Sequence, residues 1–249
     1  MHAKSGLRVV LKWMIAGSGS VIADVIRFNL GVIQLHEDYM IWADPSSYSQ
    51  ICSDEWYIQM QGVASDSKLS LPIRSLAYAW RDASTLAAAP SLILGDSNSL
   101  IDAWNDTASH SMRRNALVSL QRASFIHFFT AYETFQHESM IHASGKSRED
   151  LIQTYPGFEA AYAGCFGVEM LEKYWLDPTI QFFRNVRDTV VMHAGDATVF
   201  LSEVEHDIHI VDGELEISHG DNCFLITFLW PLLLEFIELV NAEQNNHIE

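Results

Sequence analysis

Apolar side chains recur at helical spacing over two long stretches in the middle of the chain. In residues 71–89 they fall at i, i+3, i+4 and i+7, which is the spacing of one helical face. Residues 111–143 carry a longer stripe near 3.5 residues per turn. The members of this stripe are Leu117, Leu120, Ser124, Phe128, Ala131 and Phe135. The pattern predicts two helices, and the second should be central to the fold.

A third helix is predicted over residues 178–194, with Arg187 exposed on it and His193 in its last turn, and it has clear start and stop signals. Asp177 is a good N-cap, and Pro178 fits the first helical position because its missing N–H costs nothing there. Gly195 suits the left-handed conformation that commonly follows a helix end. Shorter helices are predicted within residues 148–176.

A β-hairpin is predicted after this third helix. Asp212-Gly213 is a strong hairpin signal, because a type I′ turn needs positive φ at both central residues. With a two-residue loop, the opposed pairs are Ile210 with Leu215, Ile208 with Ile217, and His209 with Glu216. The four apolar residues then share one face, so the hydrophobic pattern and the turn register agree.

The most apolar stretch, residues 224–240, belongs to a final helix predicted from about residue 221 to 243. Asp221 or Asn222 is the expected cap, and Pro231 should kink the helix or delay its start. A membrane-spanning helix needs about 20 residues almost free of charge, and this stretch contains two glutamates and a proline. We therefore interpret it as a buried core helix and expect no membrane association.

The first sixty-odd residues have a different texture. Two short runs rich in aromatic and β-branched residues, 39–42 and 56–58, are typical of strands. Residues 21–36 leave a helix open as the competing interpretation. The Gly-, Ser- and Asp-rich segment 62–70 is the candidate linker.

Charge and cysteine content narrow the classes of function. The chain has 32 acidic and 15 basic residues and a formal net charge of −17. A broad basic surface for nucleic acid is therefore unexpected, and an anionic substrate would need a local cluster of Arg and His. The three cysteines are Cys52, Cys165 and Cys223. Their odd number and wide spacing argue against a disulfide framework and favour a reducing, cytoplasmic setting.

Five polar residues of the third helix are candidates for phosphate chemistry: Arg184, Asn185, Arg187, Asp188 and His193. Arginine stays charged and can fork onto phosphate, and histidine can transfer a proton near neutral pH. On an ideal helix Arg187 and His193 diverge by about 120°. Either the helix end unwinds near Gly195, or a symmetric partner supplies half of the site. The competing interpretation is that both arginines pair with surplus acids while His193 packs at a helix end.

The Arg187-Asp188-x4-His193 pattern resembles the Arg-x(4–6)-His signature of the HEPN superfamily, in which the residue after Arg is typically Asn, Asp or His. Arg184 is a competing start, but eight residues then separate it from His193, outside the usual range. The aromatic segment 123–135 is similar to the long helix that precedes the motif in that family. The hairpin and the last apolar helix also fit several of its branches.

The resemblance implies a helical bundle that dimerises with its two motifs facing each other. Many family members are metal-independent endoribonucleases, often in toxin–antitoxin or anti-phage systems, and others are inactive binding modules. In the implied mechanism His193 is the general acid or base, Arg187 holds the phosphate, Asp188 orients a neighbouring side chain and Asn185 contributes a donor. Glu133 lies where some branches carry a polar residue facing the motif, but solvation at the core edge is the interpretation favoured here.

Two other motifs contain metal-ligand residue types. His137 and His142 resemble a zincin pair with one residue too many, so they fall about 140° apart instead of on one helical face. Residues 205–209 contain Glu, His and Asp before the hairpin, and a solvated strand edge is the favoured interpretation. No metal or cofactor is expected.

Together these features predict a mostly α fold, an HEPN-like helical bundle with an inserted β-hairpin and a strand-rich N-terminal unit, α+β overall. The strand-rich unit would span residues 1–66 and the helical domain residues 67–249, with its HEPN-like part at about 110–243. The predicted function is a dimeric, metal-independent endoribonuclease acting on RNA, with an antitoxin-type partner such as a nucleotidyltransferase. The alternatives are a non-catalytic HEPN-like module that binds a nucleotide or a protein, and a helical scaffold.

Overall fold

The computed structural model describes residues 56–65, 67–94, 112–196, 208–211 and 213–245. These residues form eight helices and one hairpin. The helices are α1 (Trp56–Ser65), α2 (Ser70–Leu94), α3 (Met112–Ser144), α4 (Arg148–Thr154), α5 (Phe158–Phe166), α6 (Val168–Tyr174), α7 (Pro178–Met192) and α8 (His219–Asn245), and the strands are β1 (His209–Val211) and β2 (Glu214–Glu216). The predicted mostly α class is confirmed for this part of the chain.

The N-terminal prediction is not supported where it can be compared. The run 56–58, interpreted as a strand, is the start of helix α1. Met60 and Ala64 lie four residues apart on α1, and both are buried in the shared core. This is helical spacing, and the run 56–58 is helical because it is the first part of the same helix. Residues 1–55 lie outside the described ranges. The predicted linker, residues 62–70, begins in the last turn of α1 and includes a turn in which Leu69 is fully buried. The domain boundary at residue 66 stays a prediction.

Helix α3 is central, as its apolar stripe predicted. Every member of the stripe except Leu120 is buried. Small residues of α2 pack against α3, and two polar side chains of α3 donate to α2 carbonyl groups: Ser124 Oγ to Ala83 at 2.9 Å and Gln121 Nε2 to Ala87 at 3.1 Å. These buried bonds fix the rotational setting of α3, and they thereby decide which of its faces is left for α7 and the hairpin.

Helix α7 begins where the sequence predicted and ends two residues earlier. The Asp177 carboxylate accepts the N–H of Thr179 at 2.8 Å, and Pro178 occupies the first helical position. Phe183 is fully buried and contacts Phe125 and Phe129 of α3 as well as two aromatic rings of α8. This aromatic packing holds one face of α7 against α3 and turns the polar face outward along the edge of the core.

The hairpin register is confirmed, with His209 opposite Glu216 and Ile210 opposite Leu215. Asp212 lies outside the described residues, and Gly213 has the positive φ of +84° that the turn requires. The shared apolar face is only partly buried. Ile208, Leu215 and Ile217 are buried, whereas Ile210 is 54% exposed because it extends past the edge of the helical core.

Helix α8 starts two residues earlier than predicted and is capped differently. Ser218 and Asp221 form a reciprocal pair: the Ser218 N–H donates to the Asp221 carboxylate at 2.7 Å, and the Asp221 N–H donates to Ser218 Oγ at 3.2 Å. The helix continues through Pro231. Residues His219–Ala242 are long and apolar enough to cross a membrane by length and composition alone. In the fold, α8 packs on α3 with Leu225, Leu229 and Leu233 fully buried.

Candidate functional site

A single carboxylate of α3 holds both arginines of the predicted motif helix. Glu133 Oε1 accepts from Arg184 Nε at 2.8 Å, and Glu133 Oε2 forms an ion pair with Arg187 Nη1 at 2.7 Å. Arg187 Nε also donates to Asp188 Oδ1 at 2.6 Å. The exposed fractions of the Glu133, Arg184 and Arg187 side chains are only 15–18%. Their charges therefore interact in a partly desolvated site, where pairing is stronger than at an open surface.

Aromatic rings line the inner side of this cluster. The guanidinium carbon of Arg184 lies 4.0 Å from the ring centroid of Trp175, and that of Arg187 lies 5.5 Å from the centroid of Phe129. Both separations are in the range of cation–π contacts. Arg184 Nη2 is buried and has no hydrogen-bond partner among the described residues. The rings therefore fix the planes of both guanidinium groups, and one nitrogen of Arg184 is left unsatisfied.

Arg187 is less accessible than the sequence analysis expected. The prediction placed it exposed on the helix, but its side chain is only 18% exposed. The reason is tertiary: Glu133 and Phe129 of α3 cover it, and neither is adjacent in sequence. The interpretation in which both arginines pair with acids is confirmed, and Asp188, whose expected role was to orient a neighbour, does bond to Arg187. Asn185 is exposed on α7.

His193 lies apart from this charge cluster. It is the C-cap of α7, one residue beyond the last helical residue, and it is exposed. The six residue steps from Arg187 to His193 correspond to about 9 Å along a helix axis. The structure thus brings Arg184, Arg187 and Asp188 together around Glu133 and leaves His193 at the end of the helix, as the 120° divergence had indicated.

The backbone that follows His193 is tied to the hairpin. Ala194 and Gly195 both have positive φ, +52° and +87°, and the Gly195 N–H donates to the Thr189 carbonyl at 2.9 Å. The Gly195 carbonyl in turn accepts the Leu215 N–H at 2.7 Å. The predicted left-handed stop at Gly195 is confirmed, with Ala194 preceding it in the same region. His193 therefore lies on a turn with a fixed backbone.

An open groove of about 530 Å³ adjoins the arginine cluster. It is lined by Pro156, Gly157, Phe158, Glu159, Ala160, Trp175 and Arg184. Behind it, the rings of His137 and Phe158 pack together with their centroids 4.2 Å apart. Burial against these rings lowers the pKa of His137 below its usual value of 6.5, and Arg148 and Arg184 lower it further while Glu133 and Glu138 oppose the shift. The groove thus combines aromatic walls with one positive and one negative side chain.

Sequence reasoning underestimated Glu133 and missed Arg122, Trp175 and His137. Glu133 was placed near the motif by the family resemblance, but its solvated interpretation was preferred, and that preference was wrong. A signal existed, since Phe129 precedes Glu133 by four residues on the same face of a central helix and is buried, and an acid beside a buried face favours a paired carboxylate. Nothing local in the sequence indicates that Arg122 reaches the hairpin, because that contact spans 93 residues.

The described residues contain no cluster of metal ligands. Within these ranges, no group of three or more His, Cys, Asp and Glu side chains is arranged to hold a metal ion. His142 is exposed on α3, whereas His137 packs under the groove, so the two do not form a pair. Residues 205–207 lie outside the described residues.

No family model, no curated protein and no solved structure matches this chain.

Proposed function

We propose that this protein is a metal-independent endoribonuclease of HEPN type that acts as a homodimer in the cytoplasm. The observation that carries the proposal is the arrangement of α7, where an arginine fixed by two carboxylates precedes an exposed histidine at the helix end. A fixed cation and an accessible imidazole are the two groups that a metal-free phosphodiester cleavage needs.

Arg187 retains one nitrogen for substrate. Its Nη1 pairs with Glu133 and its Nε donates to Asp188, so among the contacts of the described residues Nη2 is left for a phosphate oxygen. In the proposed reaction the 2′-hydroxyl attacks the adjacent phosphorus, the P–O5′ bond breaks, and a 2′,3′-cyclic phosphate forms. His193 takes the proton of the 2′-hydroxyl or gives one to the leaving 5′-oxygen, and Arg187 stabilises the charge that develops on the phosphate.

A two-fold partner would complete the site. Arg187 and His193 of one chain diverge around the helix, and a symmetric dimer presents the same patch twice, so the histidine of one copy can approach the arginine of the other. The end of α7 carries the apolar surface that such an interface needs, because Val191 is 52% and Met192 is 72% exposed. Genomic association with an antitoxin-type protein such as a nucleotidyltransferase would fit this proposal.

The test is cleavage of total RNA by the purified protein in the presence of EDTA. We expect the wild-type chain to cleave and His193→Ala to lose at least about a hundredfold in rate, the usual contribution of a positioned acid or base. The control is His127→Ala, which removes another exposed histidine, on α3. Equal cleavage by wild type and His193→Ala would refute the catalytic assignment.

A second candidate function is a non-catalytic module that binds a nucleotide, and one observation favours it. The positive and negative charges of the cluster balance, because it contains two arginines, Arg184 and Arg187, and two acids, Glu133 and Asp188. This balance weakens the attraction of the cluster for a phosphate backbone, and the strongly acidic chain weakens it further. The aromatic groove next to Arg184 could still hold a single planar base. Titration with nucleoside monophosphates, together with the absence of RNA cleavage by the wild-type chain, would select this candidate.

A further inference from the structure

We infer that Arg122 of α3 is the positioning residue for His193, acting through the hairpin. The inference deepens the proposed function and rests on it for the role of His193. The physical link itself is a continuous series of hydrogen bonds from the core helix to the turn that carries the histidine.

The series starts at a guanidinium group that reaches the backbone of β2. Arg122 Nε donates to the Leu215 carbonyl at 3.1 Å, its Nη2 donates to the same oxygen, and Nη2 also lies 3.3 Å from the Glu214 carboxylate. Leu215 is fully buried and passes the connection on, because its N–H donates to the Gly195 carbonyl. Arg122 therefore holds the carbonyl of the same residue, Leu215, whose N–H holds the turn after α7.

Gly195 packs directly against Arg122. A Cβ at position 195 would lie 3.1 Å from Arg122 Nη2, and Gly195 itself is buried. The turn therefore meets the guanidinium group by contact as well as by hydrogen bonds through β2. The Leu215–Gly195 hydrogen bond belongs to the isolated antiparallel bridge between Asp196 and Glu214, which places the turn beside β2.

The hairpin needs an external anchor because each strand has only three residues. An isolated two-stranded hairpin of this size is marginal in water. A second arginine of α3, Arg114, holds the hairpin from the other end through the buried carboxylate of Glu216. Among the contacts of the described residues, the Arg122 anchor continues to the turn at Gly195 and the Arg114 anchor ends at Glu216. The two arginines therefore separate stabilisation of the hairpin from placement of the histidine.

The experiment compares Arg122→Gln, Arg122→Lys and the control Arg114→Gln in the full-length chain. Amide hydrogen exchange is followed in peptides covering residues 193–196 and 214–216, and steady-state rates of RNA cleavage are measured over a range of substrate concentrations. We expect Arg122→Gln to raise exchange at 193–196 about tenfold or more, and to lower kcat by a similar factor with KM unchanged. Arg122→Lys should recover part of both effects, since it restores one donor to the Leu215 carbonyl.

The control distinguishes positioning from loss of fold. Arg114→Gln should lower thermal stability but leave exchange at 193–196 and kcat close to wild type below the melting temperature. Wild-type exchange at 193–196 in Arg122→Gln would overturn the inference, and so would an equal rise in Arg114→Gln. If Arg122→Gln does not fold, Arg122→Lys is judged by the same two readouts. If the wild-type chain does not cleave RNA, the proposed function fails, while the exchange data still decide whether Arg122 fixes the turn.

Discussion

Helix α3 holds the two ends of the motif on α7 in opposite ways. At Arg187 it supplies a carboxylate, Glu133, and the arginine side chain is the group that is fixed. At His193 it supplies a guanidinium, Arg122, and the group that is fixed is the backbone beyond the histidine, through β2 and Gly195. The arginine is thus held by its charge and largely covered, whereas the histidine side chain remains exposed on a fixed turn.

This comparison shows how an acidic chain can hold a cation in a fixed position in which it can bind an anionic ligand. A guanidinium group without a nearby carboxylate would have many rotamers available, while one held at two nitrogens keeps its third in a defined direction. A proton-transfer group has the opposite need, because its imidazole must reach solvent or substrate. In the proposed function, one helix meets both needs because Arg187 is largely covered and the helix ends before His193.

The largest expected effect comes from removing the shared carboxylate. Glu133→Gln leaves two partly buried guanidinium groups without their common counter-charge, and we expect a loss of about 3 kcal/mol in the free energy of unfolding. Urea denaturation measures it. Glu138→Gln is the control, because Glu138 is another half-buried glutamate of α3. A loss no larger than that of the control would show that Asp188 and the aromatic rings hold the arginines by themselves.

Much of the fold was predictable because its determinants are local. The stripe on α3, the Asp177-Pro178 start of α7, the left-handed Gly195 and the two-residue hairpin loop each depend on spacing or on the φ of a single residue. The run 56–58 was misassigned because three aromatic and β-branched residues are too short to distinguish strand from helix. What decided it was burial of Met60 and Ala64, which depends on the position of α2.

The site was predictable in composition but not in environment. The sequence indicated that Arg184, Arg187 and Asp188 act together, and they do meet at one point. It could not show that one carboxylate lies between the two arginines, because Glu133 is 51 residues from Arg184 and its side-chain direction depends on the rotational setting of α3. The contact of Arg122 with the hairpin was not predictable for the same reason. Contacts between elements depend on how they pack, and no single segment of the sequence determines that packing.

An intermediate effect should separate the turn from its anchor. Gly195→Ala places a side chain at φ +87° and against Arg122, so it combines backbone strain with a close contact. Gly145→Ala is the matched control, since Gly145 has φ +64° with nothing within 4 Å of the new Cβ. We expect losses of about 2 kcal/mol and about 1 kcal/mol respectively, measured by urea denaturation. Equal losses would mean that the contact with Arg122 adds nothing to the cost of the left-handed backbone.

The smallest expected effect is a pH dependence of stability at the groove side of the arginine cluster. Burial against Phe158 and Trp175 lowers the pKa of His137 in the folded chain. As pH falls from about 6.5, the unfolded chain therefore takes up a proton that the folded chain does not, and stability decreases. The charged groups that act on this histidine are Glu133, Glu138, Arg148 and Arg184.

His137→Phe keeps a ring but cannot titrate, so its melting temperature should fall less than that of wild type between about pH 7.5 and about pH 5.5. His142→Phe makes the same change at an exposed position of α3 and should retain the wild-type slope. If His137→Phe also keeps the wild-type slope, the acid sensitivity arises elsewhere, and the arginine cluster is insulated from the protonation of its neighbour.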